Sequence, residues 1–183
     1  MERPVAPVDV LRAAGLQDVG TMRSPERLAK ARLVVEGAAG SSMLSALVDL
    51  AARCTGTGWA QLSLLADEQV AAAVRRSEPE SVGRKTALED ALCTVTVLSG
   101  DVLVSADTRT HPWLHTLPSV AAGHVGAYLG VPLDLGDGML VGALCVYEPG
   151  PRDWSDRDVG LTCDIADIIV IELRRAVAAL PRV

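Results

Sequence analysis

The side chains able to do chemistry are concentrated between residues 93 and 128, where Cys93, Asp107, Arg109, His111, Trp113, His115, His124 and Tyr128 all fall. The chain's three histidines lie within 111–124. A neutral imidazole can ligate a metal or take an axial position on haem iron. His111 and His115 stand at i, i+4 and would share one face of a helix, but Pro112 interrupts them, and His124 directly precedes an apolar strand. Unliganded polar loop histidines are the simpler reading, with no metal at this pair. A thiol can act as a nucleophile, yet Cys54, Cys93, Cys145 and Cys163 are far apart and show no Cys-x-x-Cys or zinc-type spacing. They read as buried, reduced thiols behaving as small hydrophobes. Asp107 reads as a loop carboxylate accepting backbone N–H groups, with Arg109 as its charge partner.

Other chemistries fail for specific reasons. There is no GxxxxGK[ST] phosphate loop, and Gly136-Asp137-Gly138 is a hairpin turn. The acidic cluster within Trp154 to Asp158 sits at a helix start, where the macrodipole favours negative charge without any catalytic role. Seventeen Lys and Arg against twenty-three Asp and Glu give a net charge of −6, which argues against a nucleic-acid partner. No apolar run is long enough for a signal peptide or a membrane span, so a cytoplasmic protein without a membrane partner is expected.

The 183 residues suit one domain with a tail, and 49% apolar residues are ample for a core. That core must be aliphatic, because the chain has three Trp, two Tyr and no Phe. It also lacks Asn.

Residues 1–22 read as a flexible tail and 23–183 as the domain. Ser24-Pro25-Glu26 carries a cap, an N1 proline and a first-turn acid for a first helix. A second helix starts at Ser41 or Ser42 and ends at Thr55-Gly56-Thr57-Gly58. Trp59 to Leu65 and Gln69 to Arg75 form a hairpin around Asp67-Glu68, and 77–85 is a loop. Thr86-Ala87-Leu88-Glu89 reads as a capping box for a third helix reaching about Leu98. A short strand follows at Val102 to Val104, then the irregular stretch Asp107 to His124, broken by Pro112 and Pro118. Val125 to Leu133 and Met139 to Tyr147 are two more strands, and Ser155 with Asp158 caps a long helix to about Leu180. Hairpin-joined strands imply an antiparallel sheet, hence the α+β class. On the last helix, Val159, Thr162, Ala166, Ile169, Leu173, Ala176 and Leu180 form one seam, with Leu161, Ile165 and Ile168 beside it. The second face could meet a partner subunit or be covered by the N-terminal helices.

The stretches ALCTVTVLSGDVLVSADTRTHPWL (91–114) and VGAYLGVPLDLGDGMLVGALCVYEPGPRDWSDRDV (125–159), followed by IADIIVIELR (165–174), resemble the GAF domain family in their order and spacing. The resemblance covers about residues 25–180. It implies a GAF/PAS-like six-stranded antiparallel sheet with the N- and C-terminal helices on one face. On the other face it implies a pocket under the middle helix and the long loop. Cys93, Asp107, Arg109, His111, Trp113, His124 and Tyr128 are then the candidates to line that pocket. Trp113 would be either a plug filling it or a wall against a flat ligand. Tyr128 points away from the face of Ala127 and Leu129, and its hydroxyl needs a partner if buried.

The resemblance implies a regulatory module that binds an unidentified small molecule, pairs as a homodimer through its terminal helices, or both. Only Pro181-Arg182-Val183 follow the last helix, so the signal is expected to leave through a signalling protein in trans. A ligand would close the 107–124 loop and bias the pairing of the helices at 25–36 and 156–180. The cyclic-nucleotide signature of some relatives needs Asn and Phe, which are absent, and Cys93 is followed by Thr94, unlike bilin-carrying relatives. No cofactor is expected. A haem sensor using His111, His115 or His124, a thiol-based redox sensor through Cys93, and a free methionine sulfoxide reductase-like enzyme are the alternatives. In the last, Cys93 falls near one of the family's positions, but the nucleophile would land near Leu117, where there is no thiol, and Cys145 sits on the last strand, which the family makes central and buried.

Overall fold

Ser155 and Asp158 start the longest helix with a reciprocal cap. Ser155 Oγ accepts from the Asp158 N–H at 3.2 Å, and Asp158 Oδ2 accepts from the Ser155 N–H at 3.0 Å. The computed structural model describes residues 19–75 and 84–181. In chain order its elements are α1 (Val19–Met22), α2 (Pro25–Ala38), α3 (Ser42–Thr55), β1 (Trp59–Leu65), β2 (Gln69–Arg75) and β3 (Lys85–Thr86), then a 3-10 turn (Leu88–Asp90) and α4 (Leu92–Ser99). β4 (Leu103–Ser105), α5 (Pro118–Ala121), β5 (Ala127–Asp134), β6 (Leu140–Glu148) and α6 (Asp156–Ala178) complete the chain.

The strands form one six-stranded antiparallel sheet in the order β3-β2-β1-β6-β5-β4. The hairpins β1–β2 and β5–β6 are joined through β1 and β6, with Gln61 opposite Cys145 and Ser63 opposite Ala143. β6 is therefore covered on both faces, which is why Val141 to Tyr147 are buried without interruption. Behind the sheet, α2 and α3 pack on α6, and all three lie against the strands. Their apolar stripes meet Leu62, Leu64, Leu129, Leu133, Leu144 and Val146 in one core. In front, α4 lies on β5 and β6. Together with Leu114, Leu117 and Val120 of the long loop, it encloses Tyr128, Ala143, Cys145 and Tyr147 in a second core.

Several local expectations shift. The tail read at 1–22 needs correction at its end, since Val19–Met22 is a helical turn and Met22 is 2% exposed within the front core. Residues 1–18 lie outside the described residues, as does most of the 77–85 loop. No side-chain cap forms at Ser24, whose carbonyl instead accepts from the Leu28 N–H at 3.0 Å. The capping box expected at Thr86 to Glu89 also does not form. Lys85 and Thr86 pair with Val70 and Gln69, which commits Thr86 to extended backbone, and the helix begins only at Leu92. The strand expected at 102–104 is Leu103–Ser105. The N-terminal helices do cover much of α6, with the backbone of Gly37 close to Ala176, while Ile168 and Ile171 remain exposed. Among the described residues no single helix is long and apolar enough to cross a membrane.

Candidate functional site

Cys93 sits in the first turn of α4, and Cys145 in the middle of β6 directly beneath it. Strand alternation turns Gln61, Ser63, Cys145 and Tyr128 to the front face while Leu62, Leu64, Leu144 and Leu129 go to the rear. The result is a buried polar cluster. The two Sγ atoms lie 3.7 Å apart, and Cys93 Sγ is 3.2 Å from Ser63 Oγ. Gln61 Nε2 donates to the same Ser63 Oγ at 2.7 Å, so the serine oxygen accepts from both the amide and the Cys93 thiol. Tyr128 donates to Cys93 Sγ at 3.5 Å and lies 2.8 Å from Thr96 Oγ1. The Cys145 thiol faces the Gln61 carbonyl at 3.5 Å.

Gly130 makes this arrangement possible. A Cβ there would come to 2.5 Å from the Tyr128 hydroxyl and 2.7 Å from Thr96 Oγ1. Tyr128 thus folds back along its own strand over a residue with no side chain, and its hydroxyl reaches α4.

The thiols are electrostatically unequal. The neighbouring Cys145 thiol holds Cys93 below the ordinary thiol range; burial opposes this, and the Ser63 and Tyr128 hydroxyls assist. Cys145 is pushed well up, by Cys93 beside it and by burial. Burial also raises Tyr128 well above an ordinary phenol, so its proton stays in place as a donor.

The loop candidates are arranged differently. Asp107 and Arg109 form a two-pronged pair, Nε to Oδ1 at 2.8 Å and Nη2 to Oδ2 at 2.7 Å, and Asp107 also accepts the Arg109 N–H at 3.1 Å. The Arg109 guanidinium lowers the Asp107 carboxyl. His111 Nδ1 accepts the Trp113 N–H at 3.2 Å, and the two rings meet edge to face at 5.4 Å. Partial burial, with His115 nearby, lowers His111. His115 and His124 are exposed, whereas Trp113 is half-buried at the rim of the front core. The structure thus brings Cys93 and Tyr128 together, and Trp113 and His115 with His111, while Asp107–Arg109 and His124 stand apart.

This front layer does not fit a haem. The space between α4, the loop and the sheet is taken by Leu114, Leu117, Tyr128 and Val95, and the one half-buried imidazole is engaged with Trp113. Leu117, where a reductase nucleophile would fall, is fully buried. Among the described residues no group of three or more His, Cys, Asp or Glu could hold a metal. A surface cleft of about 270 Å³ lies elsewhere, against α2 and the β1–β2 turn. Four of its charges pair with one another, Arg32 with Asp67 and Lys85 with Glu68.

Two features escaped the sequence. The Cys93–Cys145 proximity joins residues 52 apart, and only the strand order and the seating of α4 create it. Arg27, 7% exposed, sends Nε to the Leu140 carbonyl at 3.0 Å and its two terminal nitrogens to the Met22 and Leu65 carbonyls at 2.9 Å each. No short motif marks either.

The GAF domain family model matches residues 41–173. No curated protein sequence shows a significant match. Among solved structures, the GAF domain of an Acinetobacter phosphoenolpyruvate-protein phosphotransferase superposes with a TM-score of 0.65 at 18% identity, covering 86% of this chain and 98% of that one. The type II free methionine-R-sulfoxide reductase of Thermoplasma acidophilum gives 0.60 at 20% identity, over 78% and 96%. The blue-light-absorbing PixJ GAF domain of Thermosynechococcus elongatus gives 0.57 at 15%, over 84% and 90%. At these identities the superpositions establish the fold, and the family match across most of the chain establishes the membership: this protein belongs to the GAF domain family.

Proposed function

We propose that this chain is a regulatory module that senses a small molecule at its front layer and passes the signal through the sheet to its helices. The output is a second copy of the chain or a signalling protein in trans. One observation carries this reading: the polar cluster of Ser63, Cys93, Thr96, Tyr128 and Cys145 is buried under a loop whose rim residue, Trp113, is only partly covered. A ligand displacing Trp113 and Leu114 would meet hydroxyl and thiol groups already fixed in direction, with aliphatic walls around them. Loop movement of that kind bears on β5 and β6, which also carry α6. On the helix side, Ile168 and Ile171 of α6 are 47% and 63% exposed. That apolar area suits a second copy.

The test is thermal denaturation of the purified protein against a metabolite library, with tryptophan emission followed in parallel. A stabilising compound that shifts the emission, and loses that shift in Trp113→Leu, supports the reading. No stabiliser, combined with self-association indifferent to every compound, would leave a purely structural pairing module.

A further inference from the structure

We propose that Cys93 and Cys145 form a redox-active dithiol that closes to an intramolecular disulfide when the protein meets a peroxide, clamping α4 onto β6. This goes beyond ligand sensing and stands whether or not a small molecule binds the front layer.

The geometry is what a disulfide needs. The sulfurs are 3.7 Å apart on facing elements. A bond of about 2.05 Å requires them to approach by roughly 1.7 Å, within reach of side-chain rotation and a small tilt of the short helix α4. The donors are also placed asymmetrically. Around Cys93 stand the Ser63 and Tyr128 hydroxyls: Tyr128 donates to the sulfur, and Ser63, which accepts from Gln61 and from the thiol itself, can turn its own proton to the sulfur once the thiol ionises. Cys93 also lies in the first turn of α4, where the helix dipole favours a thiolate. Cys145 instead faces the Gln61 carbonyl, an acceptor that retains a thiol proton. Cys93 is therefore the attacking sulfur and Cys145 the resolving one.

The chemistry balances with hydrogen peroxide as oxidant. The Cys93 thiolate attacks one peroxide oxygen, the O–O bond breaks, and the departing hydroxide takes up the proton lost by Cys93 and leaves as water. Cys93 is now a sulfenic acid. The Cys145 sulfur attacks it, the S–S bond forms and the S–O bond breaks, and the second hydroxide leaves as water with the Cys145 proton. The two thiols lose two electrons and two protons, and one peroxide becomes two waters. Both sulfurs are buried, so the rate follows the opening of α4 and is slower than at the exposed Cys54.

The experiment needs no variant at first. The four cysteines fall on separate tryptic peptides, Cys93 within 86–109 and Cys145 within 110–152. The reduced full-length chain is treated with excess hydrogen peroxide, alkylated after denaturation and mapped by mass spectrometry. The expected product is a dithiothreitol-reversible crosslink between these two peptides in at least half of the molecules. With dimedone present, Cys145→Ser should trap the Cys93 sulfenic acid, and Cys93→Ser should slow Cys145 oxidation at least tenfold. Cys93 and Cys145 both remaining alkylatable after Cys54 is fully oxidised would overturn the proposal. So would a disulfide pairing either of them with Cys54 or Cys163 in its place.

Discussion

Behind the sheet, Leu62, Leu129 and Leu144 meet Val48, Ile169 and Leu173, aliphatic against aliphatic. Thr162, the buried polar residue of α6, turns its hydroxyl to the Asp158 carbonyl of its own helix at 2.7 Å. In front, the same strands present Gln61, Ser63, Cys145 and Tyr128 to Cys93 and Thr96 of α4. The rear face is held by volume and shape, which tolerate chemical monotony. The front is held partly by directed contacts, each of which leaves a buried polar group stranded if its partner is removed. A sheet so divided has one face held by packing alone and another that also depends on the direction of its contacts.

Leu144→Ala should break the rear face most severely, because it empties a fully buried site at the sheet centre. A loss of about 3–4 kcal/mol is expected in urea denaturation, and a loss under about 1 kcal/mol would mean the rear core can collapse around the gap. Arg27→Ala strands three carbonyls beside the front core. It should cost about 2–3 kcal/mol in the same assay. Arg27→Lys should recover little of it, since one ammonium cannot reproduce the planar fork. Tyr128→Phe keeps the ring over Gly130 and removes only the hydroxyl. About 1–2 kcal/mol should be lost, together with slower peroxide oxidation of Cys93. If both measurements match the unaltered chain, the front cluster is ordinary packing.

The α6 cap sharpens the same contrast by pH. Burial raises the Asp158 carboxyl, but hydrogen bonds from Ser155 and the charge of Arg152 leave it below the ordinary range. Its contribution is therefore present above an unfolded pKa of about 3.9 and is lost as pH falls through the lower folded value. Asp158→Ala should cost about 1 kcal/mol at neutral pH, with the difference from the unaltered protein shrinking as the solution is acidified below that range. The smallest effect on folding, under about 0.5 kcal/mol, is expected for Ile168→Glu with Ile171→Glu, which lie outside the core. In sedimentation velocity the same pair should abolish concentration-dependent association, and unchanged association would place the contact elsewhere.

Much of the fold was legible because local rules acted without competition. The Ser41 and Ser155 caps, the Asp67-Glu68 and Gly136-Asp137-Gly138 turns and the alternation around Tyr128 are set by neighbours a few residues away. The Thr86 capping box was misread because a long-range partner, β2, claimed that residue's backbone first. The Asp107–Arg109 pair was readable for the same local reason as the caps, being two residues apart.

The sequence by itself determined an aliphatic, antiparallel α+β domain and, lacking Phe and Asn, cannot carry the cyclic-nucleotide signature of some GAF relatives. Only the tertiary structure decided that Tyr128, Leu114 and Leu117 fill the front layer, that Arg27 ties three segments together, and that Cys93 meets Cys145. Periodicity assigns a side chain to a face, but strand order and the seating of a helix on the sheet decide which residue it faces. Those are set by the burial of the whole apolar surface at once.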